Sequence, residues 1–286
     1  MKMLKRKAKR ARQRARRGAY LLWKRAYQRL NAAPAGHKET IFVGGMMRSG
    51  TNMVMDVLEV SPETDVFHER DPRAFDDYLM REPAVIHRLI ERSNARKVVV
   101  KALLESHKID WLLTEFAPAR AVWVYRDIYD AVNSQIRQFS TAKEAVTRLA
   151  TDPQWDNWRT EGMTENCRAF LKEHFTPELT EESCAAIFWY LRNQTYFDQG
   201  LDKREDVYLL RYEDCVRIPE STFARLFAWI GIGFRPDFSR RIFTSSLKKN
   251  ERPAIEPAIA ARCEEMMMRF DALAARQDSL NDRSVA

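Results

Sequence analysis

Nine residues from Gly44 to Asn52, Gly-Gly-Met-Met-Arg-Ser-Gly-Thr-Asn, are of the types that hold an anion. They follow the apolar run Ile41-Phe42-Val43 and lead into a helix-forming stretch. Such a turn aims backbone N–H groups and the positive end of a helix at one spot. Gly45 and Gly50 have the G-x-x-x-x-G spacing of a nucleoside triphosphate loop, yet Thr51-Asn52 stands where that loop needs Lys and then Ser or Thr. The lysine for the β- and γ-phosphates and the hydroxyl for magnesium are both missing, while a cation, Arg48, lies inside the loop. This set suits an anion of lower charge bound without a metal. Further on, Arg126 follows the run Ala121–Tyr125, and Ser134 comes eight residues later. An Arg at a strand's carboxyl end and a hydroxyl two turns into the next helix could grip another phosphate, at the edge where open α/β sheets bind ligands. Taken apart from the loop, Arg126 could equally cap a strand and Ser134 lie on a solvated helix face.

These groups need a frame that brings them to one edge. Strand-like runs at Ile41–Val43, Asp65–His68, Val98–Val100, Ala121–Tyr125 and Val207–Leu210 alternate with helix-like stretches at 51–60, 73–92, 109–116, 127–139 and about 220–230. Asp71-Pro72 reads as a cap followed by proline at the first helical position, opening the 73–92 helix. The rhythm predicts an α/β fold, a P-loop-like parallel sheet flanked by helices on both faces. Residues 140–200, with Trp155, Trp158, Trp189 and Tyr190, interrupt the rhythm as a mostly helical insertion. The expected organisation is a basic arm and linker over 1–38, a domain over 39–275 and a tail over 276–286.

Charge is unevenly placed. The chain carries +8 overall, but residues 1–38 hold 14 Lys or Arg and no Asp or Glu, which leaves a net −6 from residue 39 on. The high basicity therefore describes the arm and not the ligand of the body. Cys167, Cys184, Cys215 and Cys263 are scattered, as are the five His, so neither a C-x-x-C pair nor a structural zinc site is expected. No run of 18 apolar residues is present, and no apolar segment follows the basic N-terminus. A cytoplasmic protein in a reducing compartment is expected.

Phe42-Val43-Gly44-Gly45-Met46-Met47-Arg48-Ser49-Gly50-Thr51 resembles the 5′-phosphosulfate loop of sulfotransferases that use 3′-phosphoadenosine 5′-phosphosulfate (PAPS), in the R-S-G-T form of tyrosylprotein and many bacterial and carbohydrate enzymes. Val124-Tyr125-Arg126-Asp127 with Ala131-Val132-Asn133-Ser134 resembles that family's 3′-phosphate motif. Leu210-Arg211-Tyr212-Glu213-Asp214 looks like its R-Y-E-D strand end, and Ser245-Ser246-Leu247-Lys248-Lys249 like its C-terminal PAPS loop. The likeness spans about residues 40–252 and leaves out the arm and the 140–200 segment. It implies PAPS as donor, PAP as product and no metal. It places Arg48, Ser49, Gly50, Thr51 and Asn52 at the phosphosulfate and Arg126 and Ser134 at the 3′-phosphate. Tyr212 becomes an adenosine or core contact, and Lys248 and Lys249 either phosphate ligands or a solvated pair. It also implies that Lys101 contacts the bridging oxygen and that Glu69 accepts the acceptor's proton, with His68 the alternative. Strand alternation lets only one of these two neighbours face the cleft. The His that cytosolic members place two residues after the lysine is here Leu103, and His107 is six residues on.

For the acceptor, the aromatic residues of 140–200 favour a carbohydrate or glycolipid hydroxyl, with peptide tyrosine or a small alcohol still open. A nucleotide kinase or NTPase is disfavoured by the missing Lys-Ser/Thr, and a non-enzymatic nucleic-acid binder would need a body without donor binding. For the arm, Tyr20, Trp23, Tyr27 and Leu30 recur at helical spacing with Lys24, Arg25 and Arg29 between them. Residues 1–30 suit the anionic inner face of a membrane, or a terminal helix packed on the acidic body, with nucleic acid disfavoured as a partner.

Overall fold

Thr40-Ile41-Phe42-Val43 is β-branched and apolar on every side, which suits a strand covered on both faces. In the computed structural model, which describes residues 18–32, 38–152, 154–155, 157–240, 242 and 251–285, this run is β1 (Glu39–Gly45), the middle strand of five. The others are β2 (Thr64–Phe67), β5 (Lys97–Lys101), β6 (Ala119–Tyr125) and β7 (Val207–Arg211), in the order β2-β5-β1-β6-β7, all parallel. Side-chain alternation divides the core. Ile41, Val43, Val99, Val122, Val124 and Leu210 face α2 (Thr51–Val60) and α10 (Pro219–Trp229). Phe42, Val98, Val100, Trp123, Tyr125 and Leu209 face α4 (Ile109–Glu115), α5 (Ile128–Gln138), α8 (Glu181–Asp198) and α11 (Pro257–Val285).

Three boundaries depart from expectation. Residues 73–82 are not helical. Asp71 accepts from the Arg73 amide at 3.0 Å, and its carbonyl accepts from Ala74 and Phe75. The chain then forms a small hairpin, β3 (Phe75–Asp76) and β4 (Leu79–Met80), turning through Asp77 and Tyr78 at φ 44° and 68°. The proline at the first helical position is Pro83, which opens α3 (Pro83–Arg92); Pro72 belongs to the turn. Second, residues 140–200, expected as a mostly helical insertion, are mostly helical but also supply part of the core. They form α6 (Ala142–Thr151), α7 (Glu165–His174) and α8, and α8 is buried from Ser183 to Tyr196 as the central helix of one face. Third, the helix α11 runs through the expected tail boundary at 276. Gln277 bonds both the amide and the carbonyl of Leu209, and Asp278 pairs with Arg225.

The arm enters as α1, a helix over residues 18–30. It lies on the body through polar groups: Tyr20 donates to the Val60 carbonyl, Lys24 to the Glu59 carbonyl at 2.7 Å, and Gln28 to the Thr64 carbonyl at 2.8 Å. Tyr20 and Tyr27 are half-buried while Trp23 and Leu30 are exposed, so the expected aromatic stripe is not the docking face. Burial of the Lys24 ammonium lowers its pKa to about 8, against the pull of Asp65 and Glu59.

A group whose folded pKa lies below its unfolded value makes stability rise with pH between the two, because only the unfolded chain binds the proton there. Between about pH 8 and pH 10.5, wild type should gain roughly 3 kcal/mol more than Lys24→Met. Urea unfolding of both proteins near the two ends of that window checks it. Equal gains would show that Lys24 is not held in this environment.

Candidate active site

At the carboxyl edge of β1 the chain makes a tight loop that two glycines permit. Gly45 has φ 130°, and a Cβ there would lie 2.3 Å from the Val124 carbonyl oxygen of β6. Gly50, at φ 97°, is the N-cap of α2, and its Cβ would fall 2.3 Å from the Tyr212 ring. Arg48 also has a left-handed backbone, φ 67°. The first turn of α2 has neither an acidic residue nor a side-chain cap, so its amides and positive end suit an anion. Ser49 is fully buried and its hydroxyl has no hydrogen-bond partner among the described residues. A buried, unpartnered hydroxyl next to the residue that caps α2 is a fitting donor for a phosphate or sulfuryl oxygen.

The second phosphate motif meets the loop directly. Arg48 donates from Nε to Ser134 Oγ at 3.1 Å, and Arg126 donates from Nη1 to the Arg48 carbonyl at 3.1 Å. The Arg126 guanidinium lies over the Tyr212 ring, 4.2 Å from its centroid, and 3.9 Å from Asp130. Burial lowers the Arg48 pKa, and the charges of Arg126 and Arg137 lower it further. Cations pressed together in this way are eased by an anion. Arg137 escaped the sequence reading, although its place one turn after Ser134 on α5 was available as a signal. Glu213 entered that reading only as a letter of the R-Y-E-D strand end, with no role. Its buried carboxylate accepts from the Asp127 amide at 3.1 Å, and Asp127 in turn caps α5 by accepting from Tyr129 and Asp130. Glu213 thereby holds the turn that carries Arg126, while Tyr212 forms the wall behind Gly50 and under Arg126.

A third group is built around Lys101, the last residue of β5, 1% exposed. Its ammonium donates to Glu69 Oε2 at 2.6 Å and to Asn52 Oδ1 at 2.8 Å. Burial lowers the Lys101 pKa and the Glu69 carboxylate raises it again in part. Asn52 therefore orients Lys101, at the very position where a triphosphate loop would carry its magnesium-binding hydroxyl. His68 goes the other way: its Nε2 lies 3.9 Å from Glu59, and its ring and the carboxylates of Asp56 and Glu59 come within 4.8 Å of one another. His107 is covered by Gly162, pairs with Glu161 at 3.3 Å, and is pushed down to about 4 by burial and by Arg192 and Lys108.

Buried Arg192 of α8 fastens the turn after Lys101. It donates to the carbonyls of Leu103 and Leu104 at 3.1 Å and to Ser106 Oγ at 2.6 Å. Of the tryptophans, Trp189 is in the core, while Trp158 packs against the guanidinium groups of Arg159 and Arg192 at 4.3 and 5.2 Å. Lys248 and Lys249 lie outside the described residues. The next described residue, Glu251, accepts at its carbonyl from Asn133, beside Ser134.

The family model of the sulfotransferase domain matches residues 38–253. That span takes in residues 140–200, which the motifs alone had left aside. No curated protein matches the chain. Among solved structures, it is similar to the sulfotransferase domain of the curacin biosynthetic pathway (13% identity, 82% of this chain and 98% of that one, TM-score 0.48). It is likewise similar to the sulfotransferase domain of the Synechococcus PCC 7002 olefin synthase (14%, 82% and 97%, 0.48). A mouse sulfotransferase complexed with PAP also matches (14%, 82% and 73%, 0.39).

The fit of Gly50 against Tyr212 is open to a double-mutant cycle. Gly50→Ala should cost roughly 1–3 kcal/mol from the left-handed backbone, with a further cost from displacing the ring. In a Tyr212→Ala background the ring contribution disappears, so the two costs should fall short of additivity by about 0.5–3 kcal/mol. Urea unfolding of the four proteins measures it, and additive costs would refute the packing.

Proposed function

The chain belongs to the sulfotransferase family and transfers a sulfuryl group; we propose that it does so from PAPS to a carbohydrate or glycolipid hydroxyl, with Glu69 as base. The observation that carries this reading is the buried ammonium of Lys101, hydrogen-bonded both to Glu69 and to Asn52 of the anion loop. It joins the proton acceptor to the place where negative charge must be received.

Bound PAPS would supply the sulfuryl group and its phosphate leaving group. Arg48 and the amides of residues 49–51, with the Ser49 hydroxyl, would hold the phosphosulfate; Arg126 and Ser134 would hold the 3′-phosphate. By analogy with phosphoryl transfer, a planar, loosely bonded group passes in line between two oxygens, so catalysis is mainly positioning and charge stabilisation. The acceptor oxygen bonds to sulfur as its proton passes to the Glu69 carboxylate. The bond from sulfur to the phosphate oxygen breaks, and its electron pair stays on the phosphate. Lys101 turns from Glu69 toward that growing charge, which frees the carboxylate for the proton. No divalent ion is required, because Asn52 occupies the magnesium-ligand position and is engaged by Lys101.

An acceptor carrying a sugar ring is supported by Tyr78, exposed at the hairpin tip with Arg70, the neighbour of Glu69, 5.5 Å from its ring centroid. The four cysteines are buried and unpaired, which supports a reducing compartment.

PAP should raise the melting temperature and AMP, lacking the 3′-phosphate, much less. Charge-assisted hydrogen bonds contribute roughly 1.5–3 kcal/mol, so Arg126→Ala should weaken PAP by one to two orders of magnitude in calorimetry, and Ser134→Ala by less. Equal stabilisation by AMP and PAP would sink the assignment of the 3′-phosphate site.

Glu69→Gln retains an oxygen for Lys101 but not the basicity. Turnover should fall by about 10²–10⁴-fold, measured against a panel of sugar, glycolipid, tyrosyl-peptide and small-alcohol acceptors, with PAP affinity little changed. Near-wild-type turnover would move the role to His68 or to no side chain. Activity should persist in EDTA; its loss would point to a metal at Asp56, Glu59 and His68.

A further inference from the structure

A terminal helix that served only to complete a fold would turn its apolar side inward. In α1 the arrangement is reversed. The residues it buries are Lys24 and Gln28. Ala19, Leu22, Trp23, Ala26 and Leu30, at the i, i+3, i+4, i+7, i+11 spacing of one helix face, are all exposed. Leu22 is 68% exposed, Trp23 48% and Leu30 86%. Arg25 and Arg29 are exposed beside this stripe. The body contacts of Tyr20, Lys24 and Gln28 are made to backbone carbonyls at Val60, Glu59 and Thr64, so they hold the helix in one orientation with its apolar stripe outward.

Charge is sorted along the same line. Residues 1–17, which lead directly into α1, include ten Lys or Arg and no acid, whereas residues from 39 on carry a net −6. A negatively charged surface would draw the arm and repel the body.

We propose that the outward face of α1, with Arg25 and Arg29 beside its apolar stripe, forms a docking surface for an anionic lipid bilayer. Such a surface provides both an apolar boundary for Leu22, Trp23 and Leu30 and negative headgroups for the cations. A nucleic acid would answer the charge but leave the apolar stripe in water. The association is peripheral: no helix among the described residues is long and apolar enough to cross a membrane. It is independent of the sulfuryl-transfer chemistry, since Tyr20, Lys24 and Gln28 hold the helix at Glu59–Thr64 and not at the anion loop.

The full-length protein is sedimented with vesicles of phosphatidylglycerol or of phosphatidylcholine, alongside the triple variant Leu22→Ser, Trp23→Ser, Leu30→Ser, whose changes are all at exposed positions. Wild type should bind phosphatidylglycerol and not phosphatidylcholine, with binding that weakens as salt is raised. The triple variant should bind phosphatidylglycerol about tenfold more weakly, while its melting temperature and its shift with PAP match wild type. The proposal is overturned if wild type fails to sediment with phosphatidylglycerol at low salt, or if the triple variant sediments as well as wild type. It is also overturned if duplex DNA displaces the protein from the vesicles and binds both proteins equally, which would assign the arm to nucleic acid.

Discussion

Taking an ammonium out of water disfavours its charge by far more than one neutral hydrogen bond returns. Lys101 is buried at the end of β5, and its charge is sustained by two acceptors from two different elements, Glu69 after β2 and Asn52 on α2. This arrangement couples three strands. The edge strand β2 must stop at Phe67 so that Glu69 can bend toward its neighbour β5, and the loop after β1 must be tight enough for Asn52 to reach the same nitrogen. The rest of the site is organised around the same constraint. Arg192 pins the turn beyond Lys101 through two carbonyls and a hydroxyl, so the helix bearing it belongs in the core.

The arginine side of the cleft follows a similar logic with the opposite balance. Arg48 and Arg126 approach because Gly45 lets β1 lie against the Val124 carbonyl with no side chain between them. Their charges oppose each other, and Ser134, the Arg48 carbonyl and the Tyr212 ring absorb what they can. Glu213 bonds the Asp127 amide and keeps the turn after β6 in place. The R-Y-E-D strand end is thus a brace: Arg211 reaches Asp271, Tyr212 is a wall and Glu213 is a tie.

Particular elements show how far pattern reading extends. The parallel strands were legible because most are apolar runs ended by Gly, Lys, Arg or a turn. The stretch 73–82 was not, because its apolar residues fit a helix period and the competing turn rests on how the Asp71 carboxylate and carbonyl are bonded, by Arg73, Ala74 and Phe75. The segment 140–200 looked like an insertion since it interrupts the alternation of strand and helix, although its helix α8 carries Arg192, Asn193 and Gln194 amid apolar residues. Only the surrounding elements reveal that these polar groups are buried and, in the case of Arg192, bonded to the turn beyond Lys101. In α1 the expected aromatic stripe overlaps the exposed face only at Trp23 and Leu30, because the body offers carbonyls, and carbonyls select Lys24 and Gln28.

By itself the sequence determined the parallel sheet and the glycine-bearing turn after β1, with Arg48 inside that turn, Arg126 directly after β6 and Ser134 on the helix that follows. These rest on local types and spacings, where glycine, charge and strand ends have few alternative uses. Only the tertiary structure decided that Glu69 rather than His68 reaches Lys101, that Asn52 serves the lysine, that Trp189 is core, and which side of α1 meets the body. Each of those outcomes depends on which groups from distant parts of the chain arrive at one buried point, and desolvation then selects among them.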